Sequence, residues 1–509
     1  MPLPLSNSGQ WPPEDIKPYI DQSLATNAWY SGSITDLMNT SDAGGTTGRR
    51  RFMQRRKQSD ATTVSNIVHA PLAADIAAVS SDLIFGDGFG LNTDDKKAQA
   101  ELEVLEEEIG LTNLLAEGGE WAAATGGVYL RPAWDTTVAD HPLAEVIPQH
   151  QAIPDFMYNR LTAVTLWRDI HVEKSDVWRL LERHEKGRVE YGLYIGSKTE
   201  LGDPVDLSKH PLTEKLSPTL ILPGRLADRM LVSYVPNVRP NPKLPQKPLG
   251  RADWEGCDPM LDALDEVWTS LMRDFRLAAA KVIIPQEWLR LAGNKPGSQA
   301  QVDPDREVFE SFDIPEDPGK IFSPTLYQPA IRVQEHLDGA LAIAEQIISR
   351  SGYSPQTFGL EIEGRAESGT ALRTRKSKSD STKGKKQRYF QPEVRRFAQN
   401  LLDIGAEIFN TPTIEDPAKT PVRVKWPEVE MDASEKAVWI KSLREAQAAS
   451  IDTAVKLAQP ELDDNEVKAE VELIKGETAM ADPFITGRGP EEDGQVPEEE
   501  PVEQPPAED

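Results

Sequence analysis

Two stretches decide the fold: residues 258–275, DPMLDALDEVWTSLMRDF, and residues 333–348, VQEHLDGALAIAEQII. In the first, Met260, Leu261, Leu264, Val267, Trp268, Leu271, Met272 and Phe275 recur at spacings of three and four, which places them on one side of a helix. Asp262, Asp265, Glu266 and Asp274 fall largely off that stripe. Asp258 before Pro259 predicts the helix start, with the carboxylate as cap, and the rhythm carries the helix over 259–281, a rod of ~34 Å. The second stretch repeats the pattern with Val333, Leu337, Leu341, Ala344, Ile347 and Ile348, and Gly352 with Pro355 supplies its stop. Such stripes are packing surfaces, each large side chain contributing about 1.5–3 kcal/mol on burial. Two amphipathic rods joined through a small module cannot cover both stripes alone, so lateral neighbours are expected.

Between the rods, residues 285–328 are rich in Pro, Gly and Asp, with EVFESFDI (307–314) as a candidate strand. Upstream, PNVRPNPKLPQKPLG (236–250) holds five prolines and reads as an extended connector. VTLWRDI, VWRLLERH, YGLYIG and MLVSYVPNV before it are strand-like, and GGVYLRPAW opens that β-rich region. Farther upstream, Leu72, Ile76, Val79 and Leu83 mark a helix over 71–85 stopped by FGDGFGL; a second helix carrying Leu102, Leu105, Ile109 and Leu114 ends near Gly118. Residues 1–62 read as a polar, partly ordered arm with a basic patch from Arg49 to Lys57.

Downstream, residues 368–409 predict a third long helix, with kinks at Gly384 and Pro392. VRVKW (422–426) is strand-like, and helices follow at about 433–448 and 452–476. The last twenty residues carry nine acids and no base, a composition that does not offset the entropy of ordering.

The 509 residues include 83 acids against 56 Lys and Arg, a net charge of −27, which excludes whole-surface attraction to DNA or anionic lipid. One cysteine, Cys257, permits no intrachain disulfide and no cysteine cage, and the seven histidines never form a zinc-hydrolase spacing. No basic-then-apolar leader and no run of about 18 apolar residues is present, so neither secretion by that route nor a membrane partner is expected. GDGFG at 86–90 lacks the lysine and hydroxyl of a phosphate loop, and the serine of GRAESGT is out of place for a nucleophile elbow. No catalytic, cofactor or metal residues are therefore expected. The exception to the acidity is 365–396, where eleven Lys and Arg stand against three acids, a net +8. A solvated face, a salt-bridge seam and contact with nucleic-acid phosphates all remain open for it.

The order of these parts, the phrases SRSGYSP (349–355) and SGTALR (368–373), and the later SIDTAVKLAQPELDDNEVKAEVELIKGE resemble tailed-bacteriophage portal proteins of the long-tailed, gp6-like kind. The resemblance implies a non-enzymatic α+β protein of portal architecture. Its parts would be an N-terminal arm at 1–62, an α/β wing at 63–250, stem helices at 251–282 and 329–353 and a clip at 283–328. A tunnel loop at 354–368, a long kinked wing helix at 369–410, a helical crown at 411–480 and a disordered acidic tail at 481–509 would complete it. Twelve copies would form a homo-oligomeric ring at one capsid vertex, a channel for double-stranded DNA in packaging and ejection. Its partners would be the terminase large subunit, the major capsid protein and scaffold, and a head-completion or adaptor protein, in the virion and, during assembly, the host cytoplasm.

The tunnel loop would place Gln356, Phe358, Gly359, Glu361, Glu363, Gly364, Arg365 and Glu367 towards DNA, with Ser368, Gly369, Ala371 and Leu372 starting the next helix. Arg373, Arg375, Lys376, Lys378, Lys383, Lys385, Lys386 and Arg388 would meet DNA or a neighbouring subunit, and Leu264, Trp268, Leu271, Phe275, Leu337, Leu341 and Ile348 would pack the stem. The rival reading is a nucleic-acid-binding protein, or a nucleic-acid-processing enzyme, that uses 365–396. The mass of the native assembly discriminates the readings.

Overall fold

The computed structural model describes residues 3, 9–41, 67–278, 281–285, 311–312, 325–327, 330–360, 369–427, 433–459, 462 and 464–480. Two compact units divide the chain, Met1–Glu428 and Val429–Asp509.

The first unit starts with two helices where a partly ordered arm was expected, α1 (Lys17–Ser31) and α2 (Ile34–Ser41). Tyr19, Ile20, Ala28 and Trp29 of α1 are buried, and the Tyr19 hydroxyl donates to the Leu244 carbonyl at 3.2 Å while accepting from the Lys247 amide at 2.8 Å. Its apolar residues lie on several sides of the helix because neighbours cover more than one side, so no single stripe announces it. The basic patch at 49–57 falls outside the described residues.

Helix α3 (Leu72–Phe85) follows, and its buried residues are Ala73, Ile76, Ala77, Ser80, Ser81, Ile84 and Phe85, sharing only Ile76 with the stripe expected from the sequence. Small residues hold this face because the neighbouring helix comes close: a Cβ on Gly119 would stand 2.9 Å from the Phe85 ring. Strand β1 (Gly90–Asn92) leads to α4 (Lys96–Ile109) and α5 (Leu111–Thr125). One helix was expected there; Gly110, at φ 58°, takes the left-handed conformation that ends the first and opens the second.

Strands β2 (Gly127–Ala133) and β3 (Leu143–Pro148) belong to one antiparallel sheet. The next sheet is a meander of β4 (Ala152–Met157), β5 (Arg160–Glu173), β6 (Asp176–Glu185), β7 (Arg188–Gly196) and β8 (Asp203–Val205), with β9 (Thr219–Ile221) also on β7. Strand β10 (Ser233–Pro236) returns to pair with β2. Arg131 of β2 ties the two sheets by a two-bond grip on Glu182 of β6, at 2.8 and 2.7 Å. The proline-rich 236–250 is no free connector. Asn237 Nδ2 reaches Asp253 Oδ1 at 2.8 Å, Asn241 Nδ2 reaches the Gly250 carbonyl at 3.1 Å, and the same compact unit continues beyond it.

Helix α6 (Asp258–Leu277) ends four residues earlier than its rhythm suggested, and its N-cap is Cys257, which makes no side-chain cap hydrogen bond, with Asp258 in the first turn. Residues Lys281–Pro285 instead form β11, antiparallel to β13 (Thr325–Tyr327) and parallel to β12 (Ser311–Phe312), which lies inside the candidate strand. Helix α7 (Val333–Ser351) packs on α6. Gly352 closes it in the left-handed conformation; its amide donates to Ser349 O at 3.2 Å and that of Tyr353 to Ile348 O at 3.1 Å, the two bonds of a Schellman stop.

Helix α8 (Gly369–Ile404) runs through Gly384 and Pro392 as one element of 36 residues, followed by a π-turn at Gly405–Phe409. Phe390, Val394, Phe397, Ala398, Leu401 and Leu402 along its second half are fully buried against α3–α5 and β2. Strand β14 (Arg423–Lys425) pairs with β1, so 411–427 packs within the first unit. The second unit contains α9 (Ala433–Glu445), α10 (Ile451–Ala458) and α11 (Asp464–Met480) around Val455, Val467 and Val471. The single helix expected over 452–476 is interrupted beside Pro460, which cannot supply an amide to a continuing helix.

Candidate functional site

The α6–α7 pair carries an unequal distribution of apolar contact. Leu264, Leu271 and Ile348 are buried inside their own chain, and Trp268 is half-buried against the same core. Phe275, Leu337 and Leu341 are 44%, 40% and 43% exposed. Asp262 and Asp265, expected off the packed side, are instead buried. Asp265 accepts from the Ala70 amide at 2.9 Å and pairs with His69 Nδ1 at 2.8 Å, while Thr269 Oγ1 accepts from the Val68 amide at 3.0 Å. The polar side of α6 thus satisfies the backbone of 67–70, which lies along it.

At the base of the pair, one aspartate collects four segments. Asp253 Oδ2 receives Lys386 Nζ of α8 at 2.6 Å and the Tyr353 hydroxyl at 2.8 Å, Oδ1 receives Asn237 Nδ2, and the Asp253 amide donates to Ala123 O at 3.0 Å. Lys386 Nζ also donates to Ser80 Oγ of α3 at 2.6 Å. Lysine and aspartate are 1% and 0% exposed. Burial pushes the Lys386 ammonium below its ordinary range, opposed by the Asp253 charge, and pushes the Tyr353 phenol well above its own. Lys386 was expected on a DNA- or subunit-facing surface; its charge is neutralised inside the subunit. Nothing in its local sequence distinguishes it from its basic neighbours.

The segment after α7 is anchored as far as Gly359. Residues Pro355–Phe358 make a short 3-10 turn; the Ser354 amide donates to Ser379 Oγ at 2.9 Å, Thr357 Oγ1 lies 2.8 Å from the same oxygen, and the Phe358 ring stands edge-on to Tyr353. Gln356 and Gly359 are part of this turn region. Glu361, Glu363, Gly364, Arg365, Glu367 and Ser368 lie outside the described residues, as do the side chains of Ala371, Leu372, Arg373, Arg375 and Lys376 at the start of α8, which Gly369 opens.

The rest of the basic run is dispersed around α8. Lys378 Nζ donates to the Ser349 carbonyl and, at 2.9 Å, to Ser349 Oγ, a favourable place for a cation at the end of α7. Lys383 Nζ donates to Pro427 O at 2.9 Å, Lys385 is half-buried, and Arg388 is exposed with Nε on the Gly384 carbonyl at 3.1 Å. Among the described residues, Lys378, Lys383, Lys385, Lys386 and Arg388 are therefore not brought together as one patch.

Among the described residues, no group of three or more His, Cys, Asp or Glu side chains could hold a metal ion, and no helix is long and apolar enough to cross a membrane. A profile of the family described as "Phage portal protein, SPP1 Gp6-like" matches residues 20–483. No curated protein matches the chain. The match spans most of the sequence, and the chain belongs to that family: it is a structural, non-catalytic portal protein of a phage virion, placed at the capsid vertex and acting in DNA packaging and ejection.

Proposed function

We propose, starting from that membership, that twelve copies close into a ring around a channel for double-stranded DNA. The single observation that carries this reading is the apolar surface of the α6–α7 pair away from its base, where Phe275, Leu337 and Leu341 remain exposed in the isolated subunit. Heterologous, head-to-tail packing of one pair against the next would cover it and close a ring. In this reading 63–250 is the wing, 251–282 and 329–353 the stem, 283–328 the clip, 369–410 the long wing helix and 411–480 the crown. The DNA-facing tunnel loop is 354–368, with its first part anchored to α8 through Ser379. Glu361, Glu363 and Glu367 outnumber Arg365 there, and with a chain at −27 the channel repels phosphates, so DNA slides without counterion-releasing contacts. The terminase large subunit docks while DNA enters and a head-completion or adaptor protein docks afterwards; capsid protein and scaffold hold the outside.

Native mass measurement and electron images of the isolated protein test the ring. Closed rings of about a dozen subunits are expected, and a folded monomer from the Phe275→Asp, Leu341→Asp variant. A wild-type protein that stays monomeric at every concentration reached would refute the reading, as would rings from the variant.

A further inference from the structure

A cleft of about 590 Å³ opens between the β4–β5 turn, the stretch from Asp228 to Pro248 and the middle of α8. Arg160, Arg229, Arg239, Arg388 and Arg396 line it, against two acids, Asp228 and Glu393. Two of the arginines are neutralised within the chain: Arg229 reaches Asp403 at 2.7 Å and Arg396 reaches Glu393 at 2.6 Å. Arg160, Arg239 and Arg388 form no salt bridge among the described residues. In a chain with 83 acids against 56 basic residues, three arginines that share one cleft with no carboxylate at salt-bridge distance stand out, even though the Arg160 charge is felt by Glu393.

The turn at the rim supplies a second, independent observation. Tyr158 and Asn159 both have positive φ, 50° and 62°, the two-residue hairpin geometry that Asn-Gly adopts without strain. A tyrosine held there costs on the order of 1 kcal/mol. Folding recovers nothing for it, since Tyr158 is 95% exposed and its neighbour Met157 is 62% exposed. Tyrosine, methionine and arginine are the residue types enriched where proteins bind one another.

We propose that this cleft and the Tyr158 turn are a docking surface for an acidic segment of a partner protein. Its carboxylates are taken by the guanidinium forks of Arg160, Arg239 and Arg388, an apolar side chain rests on the Met230 and Val232 floor, and Tyr158, the neighbour of the lining residue Asn159, supplies contact at the rim. A protein segment fits better than a duplex because the site is concave: single side chains enter it while the convex rod of a duplex does not.

The test uses the full chain and three fluorescent probes: a short peptide alternating Glu with Leu and Tyr, the same peptide with Lys for Glu, and a short DNA duplex. Fluorescence anisotropy at low and physiological salt is expected to show binding of the Glu peptide alone. Joint Arg160→Glu, Arg239→Glu and Arg388→Glu should weaken it by about tenfold or more. Tyr158→Gly should weaken it too while leaving the melting temperature unchanged or higher, a split that a purely structural tyrosine would not produce. The corresponding triple Gln variant repeats the measurement if charge reversal disturbs folding. The proposal is overturned if the Glu peptide does not bind or binds the triple variants equally well. It is also overturned if the duplex is the probe released by these substitutions, or if they dissociate the assembled protein, which would put a second copy in the cleft.

Discussion

The two ends of the α6–α7 pair differ in what completes them. At the base, Leu264, Leu271 and Ile348 are buried and the polar groups of Asp253, Lys386, Tyr353 and Asn237 meet within one chain. Farther out the same helices present Phe275, Leu337 and Leu341 to solvent, with His336 Nε2 on Asp274 at 3.1 Å as a polar clasp between them. An apolar stripe of uniform spacing thus divides into a half that folds the subunit and a half left for another molecule. Periodicity reports that a face is apolar; it does not report whose surface covers it.

The largest effect is expected from Leu264→Asp with Leu271→Asp. Two carboxylates placed at 3%-exposed positions cost several kcal/mol each, and a domain with a net stability of about 5–15 kcal/mol does not fold with both. Circular dichroism and soluble yield check this; a cooperative melt near the wild-type temperature would erase the distinction between base and outer end.

Asp253→Ala comes next. Removing the carboxylate leaves Lys386 buried without its counter-charge and frees the Tyr353 hydroxyl and the Asn237 amide, a loss of about 3–5 kcal/mol in urea unfolding. Pairing it with Lys386→Met should restore most of that loss. If the double variant is no better than the single, charge pairing is not what closes the base.

Buried chemistry elsewhere in the first unit should respond to acid. Burial pushes His150 down to about 4, so the unfolded chain takes up that proton at higher pH than the folded chain does. Stability is then complete above the ordinary histidine value of about 6.5 and falls as pH drops toward 4, by about 2 kcal/mol between pH 7 and pH 5. Glu182, raised by burial but held down to about 2 by Arg131 and His184, adds its loss only below the ordinary glutamate value. Urea titrations at the two pH values should diverge less for His150→Gln; equal divergence would assign the acid sensitivity to another group.

The smallest change in subunit stability, within about 0.5 kcal/mol, is expected for Phe275→Asp with Leu341→Asp, because both positions already face water. The melting curve of the dissociated subunit measures it. A large destabilisation would mean that the outer ends also belong to the subunit's own core.

Several elements were legible because their signals are local. The stop of α7 shows in Gly352, and β5, β6 and β7 of the meander show in the runs VTLWRDI, VWRLLERH and YGLYIG, whereas β4 and β8 carried no such run. The α1 helix was not legible, since it is covered on several sides and so lacks one stripe. The basic run misled in a specific way. Lys386 and Arg388 are two positions apart, so the helical turn of about 100° per residue sends one into the core and the other into water. Charge counting along a sequence cannot make that separation.

By itself the sequence determined the α+β class, the acidity, the two amphipathic helices and the order of parts that carries the family resemblance, because periodicity, caps and composition act over a few residues. Only the tertiary structure decided that Asp265 belongs on a packed face and Lys386 inside an ion pair. The partners that make those burials tolerable, Ala70 and His69 for the first and Asp253 and Ser80 for the second, arrive from segments 133 to 306 residues away. A buried charge is stable only beside its counter-group, and that proximity is a property of the folded chain.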